Sequence, residues 1–478
     1  MAFKPVFLWT DIAIYLVLAL SIISFLYALK RETFRMAIKQ IASRPVASAS
    51  FIILLSYLLI GLSDSVHFRL RATAPIAQAT APIEDAAIWG TEVLSLLDYA
   101  LTPLRVQTEK SYSLPLAVKA FTKETVEDSD GKKRRIYPRL LYGGSHLENQ
   151  GEQFYDILRT TLRGLFAGIA LVLFLVALFI LVLGQWYHES VSHSFRRFFR
   201  EGYPIAWRAI FLTAGVLTLL IFMLVPLSSD YHVLGTDKVG QDVLYLSLKA
   251  VRTGLVIGSL TTLMMLPFAI FLGISAGYFK GRVDDLIQYV YTTISSVPGV
   301  LLIAAGVLIL DGYMDSHMDD FASIAQRADL RLFFLCLILG ITGWIGLCRL
   351  LRGETLKISE LEYVQSAIVL GVGHFRIIFR HIVPNVMHIV LIVSALEFSG
   401  LVLAEAVLSY VGIGVDPAMI SWGNMINSAR LEMAREPVVW WSLLSAFIMM
   451  FGLVLSANLF SDALRDALDP RLKGRGLS

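Results

Sequence analysis

Charged residues are scarce in this chain. Of its 478 residues only 17% are Asp, Glu, Lys or Arg, whereas 56% are hydrophobic, and the mean hydropathy is +0.67. Soluble globular domains carry about 25% charged residues, so this composition argues against a soluble enzyme. The formal net charge of +3 is also too small to indicate nucleic acid as a partner. We therefore expect the lipid bilayer to surround most of the protein.

Cysteine is nearly absent as well. Cys336 and Cys348 are the only two, and on a single helix they would lie about 18 Å apart. That separation is too large for a disulfide bond, so the sequence excludes a disulfide framework.

The sequence also lacks the motifs of nucleotide and metal chemistry. Its only Gly-Lys pair, at residues 131–132, has Val126 where a P-loop requires glycine. His188 and His193 lack the other ligands of a zinc site. We therefore predict that this chain has no catalytic residues, binds no metal or cofactor and is not itself an enzyme.

Long uncharged runs are abundant. About 20 residues of helix cross the hydrocarbon core of a bilayer, and nine runs have roughly that length. The sequence therefore predicts an all-α polytopic membrane protein with nine spans. They are residues 12–29, 45–63, 164–184, 209–229, 253–279, 286–310, 332–348, 383–404 and 437–461.

Lysine and arginine predict the orientation of these spans, because cytoplasmic loops carry an excess of both. With the amino terminus external, the cytoplasmic segments hold 20 basic residues and the short external segments hold eight. The other 13 lie in residues 64–163, a segment long enough to be exempt. We expect an external N-terminus and a cytoplasmic C-terminus, and the first span should be a retained anchor because its basic cluster follows it.

The composition changes along the chain and suggests domain boundaries. Residues 64–163 are polar enough for a small external domain, within which we expect one amphipathic helix over residues 84–105 and an exposed loop over residues 124–139. The six-span part carries all motif-like features. The division is two N-terminal spans with a basic loop (1–63), an external insert (64–163), a third span and cytoplasmic loop (164–204), a six-span domain (205–473) and a C-terminal tail (474–478).

The most informative cytoplasmic segment is residues 349–384. Apolar residues recur there at helical spacing, and Gly371 and Gly373 permit a sharp bend. Arg376 and Arg380 follow the bend. The pattern predicts two short amphipathic helices that meet at a glycine break.

This segment resembles the permease subunits of ABC importers. The family pattern is Glu-Ala-Ala, three residues, Gly, nine residues, Ile-x-Leu-Pro, and residues 365–367 (Gln-Ser-Ala), Gly371 and residues 381–384 (His-Ile-Val-Pro) have that spacing. The flanking RGETL (352–356) and FRHIVPNV (379–386) resemble the C-type permease of dipeptide, oligopeptide and nickel importers. Further similar stretches are LGTDKVGQDVL (234–244), SAGYFKGRVDDLI (275–287), LAEAVLSYVGIGVDPAMISWGNMI (403–426) and DALRDALDPRL (462–472), so the resemblance covers residues 205–473.

The chain departs from the family pattern at three positions. Gln365 replaces the glutamate, Ser366 replaces the first alanine, and Gln241 replaces an arginine in the external segment. The first two changes leave the helix and the bend intact but remove a charge from the coupling segment.

The resemblance implies a transmembrane subunit whose cytoplasmic helix docks on a separate ATPase. It implies two ABC ATPase subunits that carry ATP and Mg²⁺, a sister permease, a periplasmic peptide-binding protein and a location in the bacterial inner membrane. The residues it implies for ATPase coupling are Glu362, Gln365, Ser366, Ala367, Gly371, Gly373, Arg376, Arg380 and Pro384. The alternative is that residues 349–384 are simply a solvated basic loop.

Two glutamates lie nearest to the bilayer interior. Glu397 and Glu405 are eight residues apart, which places them on roughly one helical face, and carboxylates inside a membrane usually face a cavity or a partner. One interpretation is that they line the translocation path. The other is that Glu405 lies at the external interface and Glu397 bonds a neighbouring helix.

The external loops of the resemblance are the expected contact with the binding protein. They comprise residues 230–242 and 412–436, in which we name Asp237, Asp242, Trp422 and Asn424.

Glycines and prolines inside the spans have structural interpretations. The pairs at 164 and 168, 254 and 258, and 273 and 277 have the four-residue spacing that lets helices approach closely. Pro267 and Pro298 are expected to kink their spans.

The sequence thus predicts the permease subunit of an ATP-driven di- or oligopeptide importer that works by alternating access. Nickel chelates and peptide antibiotics stay open as substrates. The rival hypothesis is a non-transporting membrane scaffold or sensor with a partner-binding insert.

Overall fold

The computed structural model describes residues 3–468 except 31, 72–89, 91, 128–132, 202, 318–320 and 322. The end of the six-span domain after residue 468 and the predicted tail 474–478 lie outside this range. The described chain is predominantly helical. Its helices are α1 Trp9–Ala28, α2 Glu32–Ser43, α3 Pro45–Asp64, α4 Leu96–Ala100, α5 Thr102–Val106, α6 Gln153–Tyr187, α7 Val191–Arg196, α8 Trp207–Asp230, α9 Val243–Phe279, α10 Gly281–Ser295, α11 Gly299–Ser316, α12 Ile324–Gly343, α13 Ile345–Ser359, α14 Glu362–Val369, α15 His374–Ile377, α16 Val383–Val411, α17 Trp422–Glu432 and α18 Trp441–Leu468.

Within the described residues, nine helical segments are long and apolar enough to cross a membrane. They overlap the nine predicted spans, which confirms the predicted fold class of a multi-pass helical membrane protein. The sixth span differs from its prediction, because the run 286–310 is divided between α10 and α11. Pro298 is the N-terminal cap of α11 rather than an interior residue. Its fixed φ and missing N–H suit a helix start, whereas Pro267 lies inside α9 as expected.

One compact unit comprises residues 1–6, 38–253 and 420–460. Its small antiparallel sheet has the order β1 (Phe3–Val6), β2 (His67–Leu70), β3 (Leu94–Ser95). A separate hairpin joins β4 (Glu124–Glu127) to β5 (Lys133–Ile136). The insert is therefore partly built from β-strands.

Two predictions for the insert are wrong. The amphipathic pattern of residues 84–105 does not form one helix, because β3 precedes the short helices α4 and α5, and Pro103 lies in the first turn of α5. Residues 84–89 are outside the described range. The segment 124–139 is exposed in β5 as predicted, but it is not a loop, because β4 and β5 pair in it and contain the β-branched residues Thr125, Val126 and Ile136.

In the same unit, α6 packs closely against α8 through small residues. A Cβ on Gly164 would lie 2.1 Å from the Phe222 carbonyl oxygen, and one on Gly168 would lie 3.0 Å from the Leu219 side chain. No larger residue fits these positions without moving α8. The predicted packing role of this glycine pair is confirmed.

The second unit comprises residues 7–37, 254–419 and 461–478, of which 469–478 are not described. In its buried core the C-terminal half of α9 packs against α13, α14 and α16. Gly273 and Gly277 allow α9 to contact α13, since a Cβ at Gly277 would lie 2.6 Å from that of Thr355. The N-terminal helix α1 is attached to this unit at its first turn, where the Thr10 N–H donates to the buried Asp329 carboxylate at 3.0 Å. An anion at a helix N-terminus is favourable.

Candidate functional site

The predicted glycine break has a defined backbone geometry. Helix α14 ends in a Schellman motif, in which the Val372 N–H donates to the Ala367 carbonyl at 3.1 Å and the Gly371 N–H donates to the Ile368 carbonyl at 3.0 Å. Gly371 has a φ of 74°, a conformation that costs other residues about 1–2 kcal/mol. The chain then re-enters a helix at α15. Two short helices therefore meet at this glycine, as the sequence predicts.

Helix α15 leads directly into a membrane span. A π-helical turn, Ile378–Ile382, connects α15 to α16, and Pro384 lies in the first turn of α16. The helical backbone thus runs from His374 to Val411 without a non-helical residue. A displacement of α15 is transmitted to α16 through this continuous backbone.

The bend presents a group of exposed apolar side chains, which we call the coupling surface: Val369, Leu370, Phe375 and Phe379. Their exposed fractions are 86%, 81%, 78% and 69%. Val369 and Leu370 precede the helical segment His374–Val411, which is apolar enough to cross a membrane, and Phe375 and Phe379 lie in its first turns beside Arg376 and Arg380. A contiguous exposed apolar patch typically marks a protein-interaction site.

The predicted coupling residues fall into two groups. Ala367 is a buried residue of α14. The side-chain amide of Gln365 donates a hydrogen bond to the Ser359 carbonyl at 2.8 Å. The Gln365 amide thus caps the end of α13 within this chain. The exposed members are Glu362, Gln365, Ser366, Gly371, Gly373, Arg376 and Arg380, with Pro384 half-buried. The roles of these residues in coupling remain predictions.

Contacts from α9, α10 and α13 hold the coupling segment in place. The Tyr278 hydroxyl lies 2.9 Å from Nδ1 of His374, the first residue of α15. Lys280 forms an ion pair with Glu360 just before α14. Sequence reasoning missed both pairs, because their members are about 80 to 100 residues apart.

A bidentate ion pair joins α10 to α13. Arg352 donates to the two Asp284 carboxylate oxygens at 2.5 and 2.6 Å. The hydrogen bonds from Arg352 hold the pKa of Asp284 below its usual value, although partial burial opposes this. Bidentate arginine–carboxylate pairs fix relative orientation as well as distance. This pair therefore fixes the orientation of α13, the helix that precedes α14, relative to α10.

The two membrane glutamates have different surroundings. Glu405 is 2% exposed and accepts a 2.7 Å hydrogen bond from the Ser409 hydroxyl. Its carboxylate therefore does not line an open path in this conformation, which corrects the first interpretation for this residue. Glu397 is half-buried and has no hydrogen-bond or ion-pair partner among the described residues. Both interpretations of Glu397, a path-lining role and a bond to a neighbouring helix, therefore stay predictions.

Two of the four residues predicted to face a receptor are buried. Asp242 is fully buried and accepts the Leu244 N–H at 2.8 Å, so it caps the start of α9. Trp422 is 1% exposed, and its indole N–H donates to the Ser247 carbonyl at 3.1 Å. These two predictions are wrong because both side chains hold the loops instead of facing outward. Asp237 and Asn424 are half-buried, and their receptor contacts stay predictions.

A buried imidazole joins the insert to the loop before α9. His232 Nδ1 lies 2.8 Å from Asp242 Oδ2, and its Nε2 lies 3.5 Å from Glu109 Oε1. Burial of His232 disfavours its charged form, but the two carboxylates outweigh burial and raise its pKa to about 9. Burial likewise opposes ionisation of Glu109, yet hydrogen bonds from His232 and from three backbone N–H groups lower its pKa to about 2. His232 and Glu109 are therefore both charged at neutral pH.

A second buried cluster attaches the insert to α3 and α9. Lys249 forms an ion pair with Asp98 and lies 3.6 Å from Asp64 Oδ1. The Tyr245 hydroxyl donates to Asp98 at 2.7 Å, and the Ser95 hydroxyl donates to Asp64 at 2.6 Å. Burial alone would raise the pKa of Asp98, but Lys249 and the hydrogen bonds lower it. Composition cannot reveal this cluster, since its residues come from three distant segments.

Metal coordination receives no support within the described ranges. No group of three or more His, Cys, Asp or Glu side chains there has the arrangement of a metal site.

The described residues thus combine nine apolar helices with an exposed helix pair that bends at Gly371. Residues 269–474 match the family of binding-protein-dependent transport system inner membrane components. The chain is 31% identical over 246 residues to the oligopeptide transport system permease protein OppC of Haemophilus influenzae. These residues cover 52% of this chain and 72% of that protein. It is 32% identical over 288 residues to OppC of Mycobacterium tuberculosis, covering 58% and 92% respectively.

A third relative is named for a different substrate. The glutathione transport system permease protein GsiD of Pectobacterium atrosepticum is 32% identical over 245 residues, which cover 51% of this chain and 74% of that protein. Taken together, these matches establish that the chain belongs to the binding-protein-dependent transport permease family. It is a multi-pass membrane protein.

Proposed function

We propose that this chain is the permease subunit of an ATP-driven importer and that its coupling surface docks on a separate ATPase subunit. The single observation that carries this proposal is the exposure of Leu370 and Phe375 on a bent, braced helix pair. Two ATPase subunits would bind ATP and Mg²⁺, because this chain has no P-loop. A sister permease would complete the membrane path.

The braced geometry explains how ATP hydrolysis could move the spans. A coupling free energy between two sites requires an element whose position both sites bias. Helix α15 is such an element, since it continues into α16 and is bonded to the end of α9 through Tyr278 and His374. A push on α15 would therefore move two membrane spans together, as alternating access requires.

We infer that the substrate is a peptide. The relatives are named for the transport of oligopeptides, dipeptides and glutathione, and all three of these substrates are peptides. A periplasmic peptide-binding protein would deliver the substrate, and Asp237 and Asn424 are the proposed contacts. Glu397 is the proposed polar residue of the path.

The proposed location is the bacterial inner membrane, with the N-terminus outside and the C-terminus in the cytoplasm. The excess of basic residues on one side supports this orientation. The boundary of the permease domain at residues 205–473 is also a proposal, and the family match at 269–474 supports most of it.

Gly371→Ala should reduce peptide uptake several-fold, whereas Gly373→Ala should leave it near the wild-type rate. A Cβ at either glycine meets no atom within 4 Å, so neither change introduces a clash. Only Gly371 has a positive φ, 74°, so only there does alanine oppose the bend, by about 1–2 kcal/mol. The measurement is peptide uptake and peptide-stimulated ATP hydrolysis by the reconstituted complex.

Gly371→Pro extends the same experiment. Proline cannot adopt this φ and loses the N–H that bonds the Ile368 carbonyl at 3.0 Å. We expect uptake to be lost while the protein still reaches the membrane. Normal uptake by this variant would exclude a coupling role for the bend and favour the rival scaffold or sensor.

A further inference from the structure

A long apolar groove lies between three helices of the second unit. It has a volume of about 510 Å³ and is lined by one face each of α1, α9 and α16, with Phe34 of α2 at one end. All three lining helices are long and apolar enough to cross a membrane. The groove therefore lies at membrane depth.

The wall of the groove is mostly apolar, and its polar groups are five hydroxyls, of which Ser21 and Ser24 belong to α1. The hydroxyls of Ser259, Thr262 and Ser394 each donate to a backbone carbonyl of their own helix, at 2.6, 2.6 and 2.7 Å. A peptide in extended form would leave its backbone N–H and C=O groups unpaired there, which is costly. An apolar chain without hydrogen-bonding groups fits this lining.

The length of the groove corresponds to one leaflet of the bilayer. On α1 its lining runs from Val17 to Ala28, which is about 16 Å of helix against a hydrocarbon core of about 30 Å. Phe398 lines the inner end, where its ring packs against α9 at Gly258; a Cβ on that glycine would lie 2.6 Å from the ring. The other end lies toward Met387, close along α16 to the coupling segment.

Two basic residues follow the lining residues Ala28 and Phe34, at the end of the groove toward Met387. Lys30 follows Ala28 by two residues and Arg35 follows Phe34 directly, and both are exposed. Neither side chain has an ion-pair partner among the described residues. Basic residues beside a groove between membrane helices attract anionic lipid headgroups.

We propose that this groove binds one acyl chain of an anionic phospholipid, whose headgroup lies beside Lys30 and Arg35. Because α1 forms one wall, the bound lipid would seal the N-terminal helix onto the permease core. The proposal requires only that the chain spans the membrane, so it does not depend on the transport function.

The test measures phospholipid that remains with the complex purified in mild detergent. We expect about one phosphatidylglycerol or cardiolipin molecule per chain to resist detergent washing. Ser24→Trp fills the groove and should therefore remove the bound phospholipid, whereas Ile23→Trp on the exposed face of α1 should not.

A second pair of changes tests the headgroup site. Lys30→Gln with Arg35→Gln should weaken phosphatidylglycerol binding by roughly 30-fold, the combined effect of two basic residues. Lys39→Gln on α2 should leave it unchanged.

Retained lipid that is insensitive to both changes would overturn the proposal. Loss of a protein subunit instead of lipid from the Ser24→Trp complex would also overturn it, because the occupant would then be a helix of that subunit. A second experiment uses the wild-type protein, so its result does not depend on whether a variant folds. Phosphatidylglycerol with a photoreactive acyl chain should label residues 259–270 and 387–398, and labelling confined to other faces would contradict the proposal.

Discussion

Replacing Leu370 and Phe375 together by serine is expected to abolish peptide uptake and to release the ATPase subunits from the purified complex. Both side chains are about four-fifths exposed, at 81% and 78%, so serine leaves no cavity inside this chain. If they are buried in the complex, losing such anchors costs roughly 2 kcal/mol or more, which is about 30-fold or more in affinity. The measurement is the amount of ATPase that copurifies, together with uptake.

Two variants serve as controls. Phe195→Ser changes an equally apolar residue that is 55% exposed on the same predicted side of the membrane but outside the family match. Phe375→Leu keeps an apolar side chain in the coupling surface. Both should retain ATPase binding, and an unaltered complex in the double serine variant would show that the surface contacts no subunit.

Lys249→Met is expected to lower the thermal stability of the purified protein strongly. The lysine neutralises Asp98 and lies 3.6 Å from Asp64, and both carboxylates are at least 96% buried. Removing one partner of a buried ion pair costs about 3–5 kcal/mol, because the remaining charge has no compensation. The fall in the melting temperature of the detergent-solubilised protein, followed by tryptophan fluorescence, measures this effect.

The matched control is an exposed ion pair of the same insert. Lys110 lies 3.6 Å from Glu124, and its side chain is 72% exposed, so Lys110→Met should change stability by less than about 1 kcal/mol. Adding Asp98→Asn to Lys249→Met should restore part of the lost stability, since it removes one of the uncompensated charges. Equal stability of the Lys249→Met and Lys110→Met variants would show that the buried cluster does not attach the insert.

Local signals predicted most of the membrane fold and the coupling bend. Span length and hydropathy are properties of continuous segments, and Gly371 ends a helix through its own backbone freedom. The break at Pro298 was harder to place, because a proline can kink a helix or begin one. The β4–β5 hairpin was missed because its charged residues looked like a loop.

Contacts within the chain explain the errors at the external loops. Asp242 and Trp422 looked exposed because polar and aromatic residues in an aqueous loop often bind partners. The structure instead pairs Asp242 with His232 and bonds Trp422 to the Ser247 carbonyl, 175 residues away in sequence. The position of Asp242 directly before α9 is a local capping signal, whereas a single sequence contains no signal for the contact between Trp422 and Ser247.

The most direct test of the central claim is photo-crosslinking from position 375 in living cells. A photoreactive phenylalanine analogue in place of Phe375 should crosslink to an ATPase subunit, and the same analogue in place of Tyr137 in the insert should not. Crosslinking of position 375 to an extracytoplasmic protein, or to no protein in cells that take up peptide normally, would contradict the proposed coupling surface.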